Sequence, residues 1–93
     1  MRPEFEWDKG KAAKNIEKHG IAFDEAKSIF KDPGFITVVD EEHSIGEERY
    51  ISIGLSENGK LLLLAHTERE GRIRIISVRK ATRKEERFYE YAQ

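Results

Sequence analysis

Cysteine is absent from this chain, proline occurs only twice, and the longest uninterrupted apolar run is Leu61 to Ala65. Without thiols there are no disulfides and no thiolate metal sites, and a reducing compartment is permitted. The apolar run falls far below the roughly 20 residues of a membrane-spanning helix. Met1-Arg2-Pro3-Glu4 has nothing of a signal peptide. No membrane association and a cytoplasmic address are therefore expected. Also missing are a G-x-S-x-G nucleophile motif and a phosphate-cradling glycine loop, and His19, His43 and His66 stand at no metal-ligand spacing. Asp40 to His43 carries chelating groups, but a charge run in a loop is most simply a solvated one. No metal and no other cofactor is expected.

What is present is charge, unevenly spread. The composition is 38% hydrophobic and 38% charged at a net charge of −1, which suits one compact domain spanning residues 1–93. Asp24 to Glu57 holds nine acidic residues against three basic, whereas Arg69 to Arg87 holds eight basic against three acidic. A chain polarised in this way can hold a polyanion at one end and a basic partner at the other, unless the halves interleave in space.

Read in order, the chain starts with a strand or arm at Phe5 and a helix from an Asp8 cap to a left-handed stop at Gly20. Ala12 and Ile16 give that helix an apolar stripe, and Asn15 and His19 fall near the same face. They either pin the helix to the backbone or line a pocket. A second helix runs from Phe23 to Lys31 and ends at Asp32-Pro33-Gly34. Strands follow at Phe35–Val39 and Glu48–Leu55. Asn58-Gly59 predicts a type I′ hairpin into a third strand, Lys60–Thr67, which is apolar on both faces and so belongs at the sheet centre. Glu70-Gly71 turns the chain into a fourth strand from Arg72. Thr82 and Glu85, spaced as a capping box, open a last helix ending near Tyr91. The expected fold is α+β: two helices, a four-stranded antiparallel meander and a C-terminal helix, with the helices on one sheet face.

The chemistry left to such a chain is that of arginines with a few proton-transfer groups. Cleavage of RNA without a metal draws its nucleophile from the ribose 2′-OH. It needs a base, an acid and cations for the added phosphorane charge. Arg49, Arg74, Arg79 and Arg83 are candidates for the cationic role, since a guanidinium binds phosphate oxygens bidentately. His19, Glu48, His66 and Tyr50 are candidates for proton transfer. Each has a plainer reading: His19 as a helix C-cap, Glu48 and Arg49 as cross-strand ion pairs, Ser77 as a local hydrogen bonder, Arg83 with Lys84 and Arg87 as a solvated helix face. For Arg79, at a strand end beside a helix N-terminus, both surroundings favour an anion.

The ordered series Phe5-Glu6-Trp7-Asp8, Asn15, Lys18-His19-Gly20, Phe23, Glu25-Ala26, Asp32, Glu48-Arg49-Tyr50, Ile53-Gly54, Arg74-Ile75-Ile76-Ser77, Arg79, Ala81-Thr82 and Glu85 to Tyr89 resembles the BrnT toxins across nearly the whole chain. These are small ribonucleases of type II toxin–antitoxin systems. The resemblance implies a RelE-like microbial ribonuclease fold and translation arrest by metal-independent RNA cleavage. It also implies inhibition by a cognate BrnA-like antitoxin, whose DNA binding is the chain's sole, indirect link to DNA. Carried over residue by residue, it matches the K-H-G histidine to His19, the E-R pair to Glu48 and Arg49, and the R-I-I-S-x-R arginines to Arg74 and Arg79. With the reading of the charges above, His19, Glu48, Arg49 and Arg79 are the expected catalytic residues and Arg74, Ser77, Lys80 and Arg83 the expected RNA-binding ones. Val78 and Ala22 depart from the commoner family pattern. The alternatives are a toxin of the same fold that binds RNA or a protein without cutting, and a degenerate copy kept for its antitoxin.

Overall fold

A computed structural model describes residues 4–93; Met1 to Pro3, on which part of the signal-peptide reading rests, lie outside the described residues. Its elements are β1 (Glu4–Glu6), α1 (Lys9–His19), α2 (Phe23–Ala26), β2 (Ile36–Val39), β3 (Arg49–Leu55), β4 (Leu61–Arg69), β5 (Arg72–Lys80) and α3 (Arg83–Tyr91). The five strands form one mixed sheet in the order β1-β5-β4-β3-β2. The expected centre of the sheet, β4, is its centre.

The four-stranded antiparallel meander is thus corrected to five strands. The leading segment adds to the far edge as β1, parallel to β5, with Glu4, Phe5 and Glu6 opposite Arg72, Ile73 and Arg74. Side chains hold this short strand in place. Glu4 and Glu6 pair with Arg72 and Arg74 at 3.1 and 2.8 Å, and the Phe5 ring lies 5.5 Å from Phe30. The second helix is also shorter than expected. Ala22 offers no side-chain cap, and after one α-turn the backbone tightens into a 3₁₀ segment, Lys27–Lys31.

The two hairpin turns exchange the expected chemistry. At Ser56 to Lys60 only Gly59 has positive φ, and Gly59 N–H donates to Ser56 C=O at 2.9 Å. That is a type I turn with a glycine bulge rather than a type I′ turn. The two consecutive positive-φ residues of a type I′ turn are instead Glu70 and Gly71, at 51° and 78°. Glu70 adopts a conformation that its side chain disfavours, because two residues are all that join β4 to β5 there.

One sheet face is the core face. Leu62 and Leu64 of β4 and Ile75 and Val78 of β5 pack with Ile21, Phe23, Ala26 and Ile29. The helices are not confined to that face. α1 closes the edge of β5 beyond β1, where buried Asn15 donates to the carbonyls of Val78 and Ile21 and accepts from Val78 N–H, at 2.9–3.1 Å. The helix is fixed as the sequence implies: Lys11 N–H donates to Asp8, and Gly20 closes the C-terminus at φ 72°. α3 carries the expected Thr82–Glu85 capping box. It is tied down by the Arg79–Glu85 ion pair at one end and a Tyr89 hydroxyl donating to Asp32 at the other.

Candidate functional site

A bulge in β5 decides which groups share a surface. Ala65 of β4 pairs with Ser77 but the next residue, His66, pairs with Ile75, so Ile76 is extra. In an unbroken strand Arg74 and Ser77, three positions apart, face opposite ways. The bulge brings Arg72, Arg74, Ser77 and Arg79 onto one face, opposite the core face. Arg49 joins them there, since Thr67 lies between Arg49 on β3 and Arg74 on β5 in a single cross-strand row.

His19 meets this surface at its edge. A pocket of about 210 Å³ is lined by Lys11, Lys14, Asn15, Lys18 and His19 of α1 and by Ile76 and Ser77 of β5. Both readings of the helix face hold together: Asn15 pins the helix, and His19 lines the pocket beside it. The three lysines were not among the expected site residues. Their spacing with Asn15 and His19, at i, i+3 and i+7 from Lys11, was the signal that places them on that face.

The arginines differ in how committed they are. Arg74 is bound to Glu6. Arg79 gives a bidentate fork to Glu85 at 2.7 and 2.9 Å and one further bond to the Lys80 carbonyl. Two of its five N–H groups stay available. The Arg79 guanidinium, against the opposing effect of burial, holds the Glu85 carboxyl down to about 2. The anion favoured beside this helix N-terminus is therefore, first of all, the chain's own. Among the described residues Arg49 and Arg83 make no ion pair, and Lys80 and Arg83 are exposed. Glu48 is not brought to His19. Its carboxylate accepts from the Tyr50 hydroxyl at 2.8 Å, and Tyr50 projects from the core face beside His66.

His66 is buried in that second region. Its Nε2 is 2.8 Å from Ser52 Oγ, which is 2.7 Å from Thr37 Oγ1, while Nδ1 has no partner. Burial pushes its pKa down to about 4. Between about 6.5 and 4 the unfolded chain binds a proton that the folded chain refuses, so folding stability is full above about pH 6.5 and falls as the pH drops toward 4. The loss reaches about 3 kcal/mol for this group. Urea denaturation at stepped pH should show that slope in the wild type and its absence in His66→Gln; equal slopes would contradict the assignment.

Among the described residues no three His, Cys, Asp or Glu side chains come together as a metal site, and no helix is long and apolar enough to cross a membrane. A family model described as the ribonuclease toxin BrnT of type II toxin–antitoxin systems matches residues 7–85. Among solved structures, the crystal structure of the Brucella abortus ribonuclease toxin, BrnT, superposes with a TM-score of 0.64 at 20% sequence identity, covering 88% of this chain and 100% of that one. No curated protein matches the chain in sequence.

Proposed function

Since this chain belongs to the BrnT family of ribonuclease toxins of type II toxin–antitoxin systems, we propose that it cuts RNA at the β5 surface bordered by α1. The observation that carries this reading is the shared pocket of His19 and Ser77, ringed by Lys11, Lys14 and Lys18. The same face carries Arg79 two residues beyond Ser77 and the row of Arg74 and Arg49 below it. The substrate phosphate sits over Ser77, held by the two spare N–H groups of Arg79. His19 moves the proton between the 2′-OH, the phosphate and the leaving 5′ oxygen, a role open to an imidazole because one ring nitrogen accepts a proton while the other donates one. The lysines, Arg49 and Arg74 track the flanking backbone, and exposed Arg83 at the start of α3 extends the cationic surface, while Lys80, opposite Leu62 on the core-face side of β5, is left out of the RNA path. Glu48, turned to Tyr50, is left out of the chemistry.

No metal is assigned to the reaction, because the nucleophile is the substrate's own and fixed cations supply the charge stabilisation. The cellular consequence of this reading is translation arrest in the cytoplasm, by a toxin of RelE-like type. Its partner is a BrnA-like, DNA-binding antitoxin, through which alone the chain meets DNA.

Lysine placement is testable by salt dependence. Each phosphate neutralised on a single strand contributes about 0.7 to the slope of log K against log salt. Lys11, Lys14 and Lys18 changed together to Gln should flatten the slope for 2′-deoxy-substituted, uncleavable RNA by about 2. An unchanged slope would remove α1 from the RNA path.

A further inference from the structure

A second cavity lies away from the cationic surface, and the RNA reading does not use it. It encloses about 480 Å³ at the open end of the core face, lined by Phe30, Phe35, Thr37, Tyr50, His66, Glu68 and Ile73. Four of these rings form a box. Phe30 meets Phe35 edge-on at 5.3 Å and His66 at 5.6 Å, and Tyr50 stacks on His66 at 5.7 Å. His66 is only 6% exposed, and its Nδ1 is left unpartnered.

The charge at the mouth decides what such a box admits. Glu68 lines it, and Glu48 holds the Tyr50 hydroxyl at the same wall. Neither carboxylate makes an ion pair among the described residues, and no Lys or Arg lines the cavity. The hydrogen bond to Glu48, with burial and the charges of Glu48 and Glu68, raises the pKa of Tyr50, the mark of a negative field. Close by runs the acidic loop from Asp40 to Glu48. A nucleotide seated here brings its phosphate against these carboxylates. A guanidinium meets aromatic faces that attract cations, carboxylates that neutralise it and a neutral imidazole that does not repel it.

We propose that this aromatic, acid-rimmed cavity is the docking pocket for an arginine side chain of the antitoxin. The inference rests on the toxin–antitoxin reading for the existence of that partner. It sets the antitoxin's anchor on the face opposite the RNA surface, so neutralisation needs a second antitoxin segment reaching the arginines of β5.

Glu68 and Phe35 are both exposed, so Glu68→Lys and Phe35→Ala test the pocket without opening the core. Affinity of the full chain for its cognate antitoxin should weaken at least about 30-fold in Glu68→Lys and about 10-fold in Phe35→Ala. RNA cleavage by the free variants should stay at the wild-type rate. Antitoxin affinity within threefold of wild type in both variants overturns the proposal. So does unchanged antitoxin binding with altered RNA affinity, which makes the cavity a nucleobase site. A wild-type chain that binds no antitoxin sinks the partner reading itself, and is told apart because it fails before any substitution is made.

Discussion

Replacing His19 by alanine is expected to slow RNA cleavage by about 10²–10⁴-fold, the range lost with a general acid–base group, and to leave the fold standing. His19 ends α1 and is half-buried at the rim of the pocket it shares with Ser77. Its structural contribution is that of a basic group in the last turn of a helix, about 0.3–1 kcal/mol. Such a loss leaves nearly all molecules folded, so it alone leaves activity almost intact. The two roles separate in one comparison, in which urea denaturation and single-turnover cleavage are measured on the same preparations. A loss of activity no larger than the loss of folded fraction assigns His19 to the cap alone. His19→Gln should behave like alanine in activity, because an amide hydrogen-bonds but does not carry a proton between reacting oxygens.

Asn15→Ala should cost about 3–5 kcal/mol of folding free energy. One amide side chain serves three backbone groups: the N–H and C=O of Val78 and the C=O of Ile21. Val78 lies on the stretch of β5 that β1 does not cover, so its edge groups have Asn15 in place of a neighbouring strand. Truncation strands them next to the buried cluster of Ile21 and Val78, and water does not readily replace the lost partner. For a domain whose total stability falls in the usual range of about 5–15 kcal/mol, that is a large share. Asn15→Asp should be nearly as damaging, because the carboxylate keeps the bond from Val78 N–H but sets a negative oxygen against two carbonyls. Thermal and urea denaturation measure both; a loss below about 1 kcal/mol would mean that the edge is satisfied in some other way. Activity should fall with stability in these variants, since Asn15 sets the register of α1 that brings His19 to Ser77.

The contrast between these residues shows what could be read from sequence. Local signals carried far: Asp8 and Gly20 bound α1, Thr82 and Glu85 form their capping box, and the doubly apolar run at Leu61 to Leu64 lies in the central strand. Each is a short-range consequence of backbone satisfaction or burial. The misreadings involve groups distant in sequence, or a choice between near-equal local states. Parallel pairing of three residues, Glu4 to Glu6, with a strand some 68 positions away leaves no periodic trace. Asn58-Gly59 has the composition of a type I′ turn but closes a longer loop, whereas Glu70 accepts positive φ because the strands leave it no alternative.

The candidate site was legible as a set of residues but not as a surface. Strict alternation separates Arg74 from Ser77 and Arg79, and the extra residue at Ile76 reunites them. Glu85 was legible as a cap but not as the partner of Arg79, since a carboxylate that accepts from Thr82 N–H can also hold a guanidinium. Both facts depend on how β5 lies against its neighbours.

On the function proposed above, the surface of β5 beside α1 cuts RNA by attack of the 2′-OH, without a metal. The most direct measurement is to incubate the antitoxin-free chain with naked RNA in excess EDTA and analyse the product ends. The expected cuts leave 2′,3′-cyclic phosphates and 5′-hydroxyls and vanish when the cut position carries a 2′-deoxyribose. Intact RNA, or cleavage that EDTA abolishes and that leaves 5′-phosphates, would contradict it.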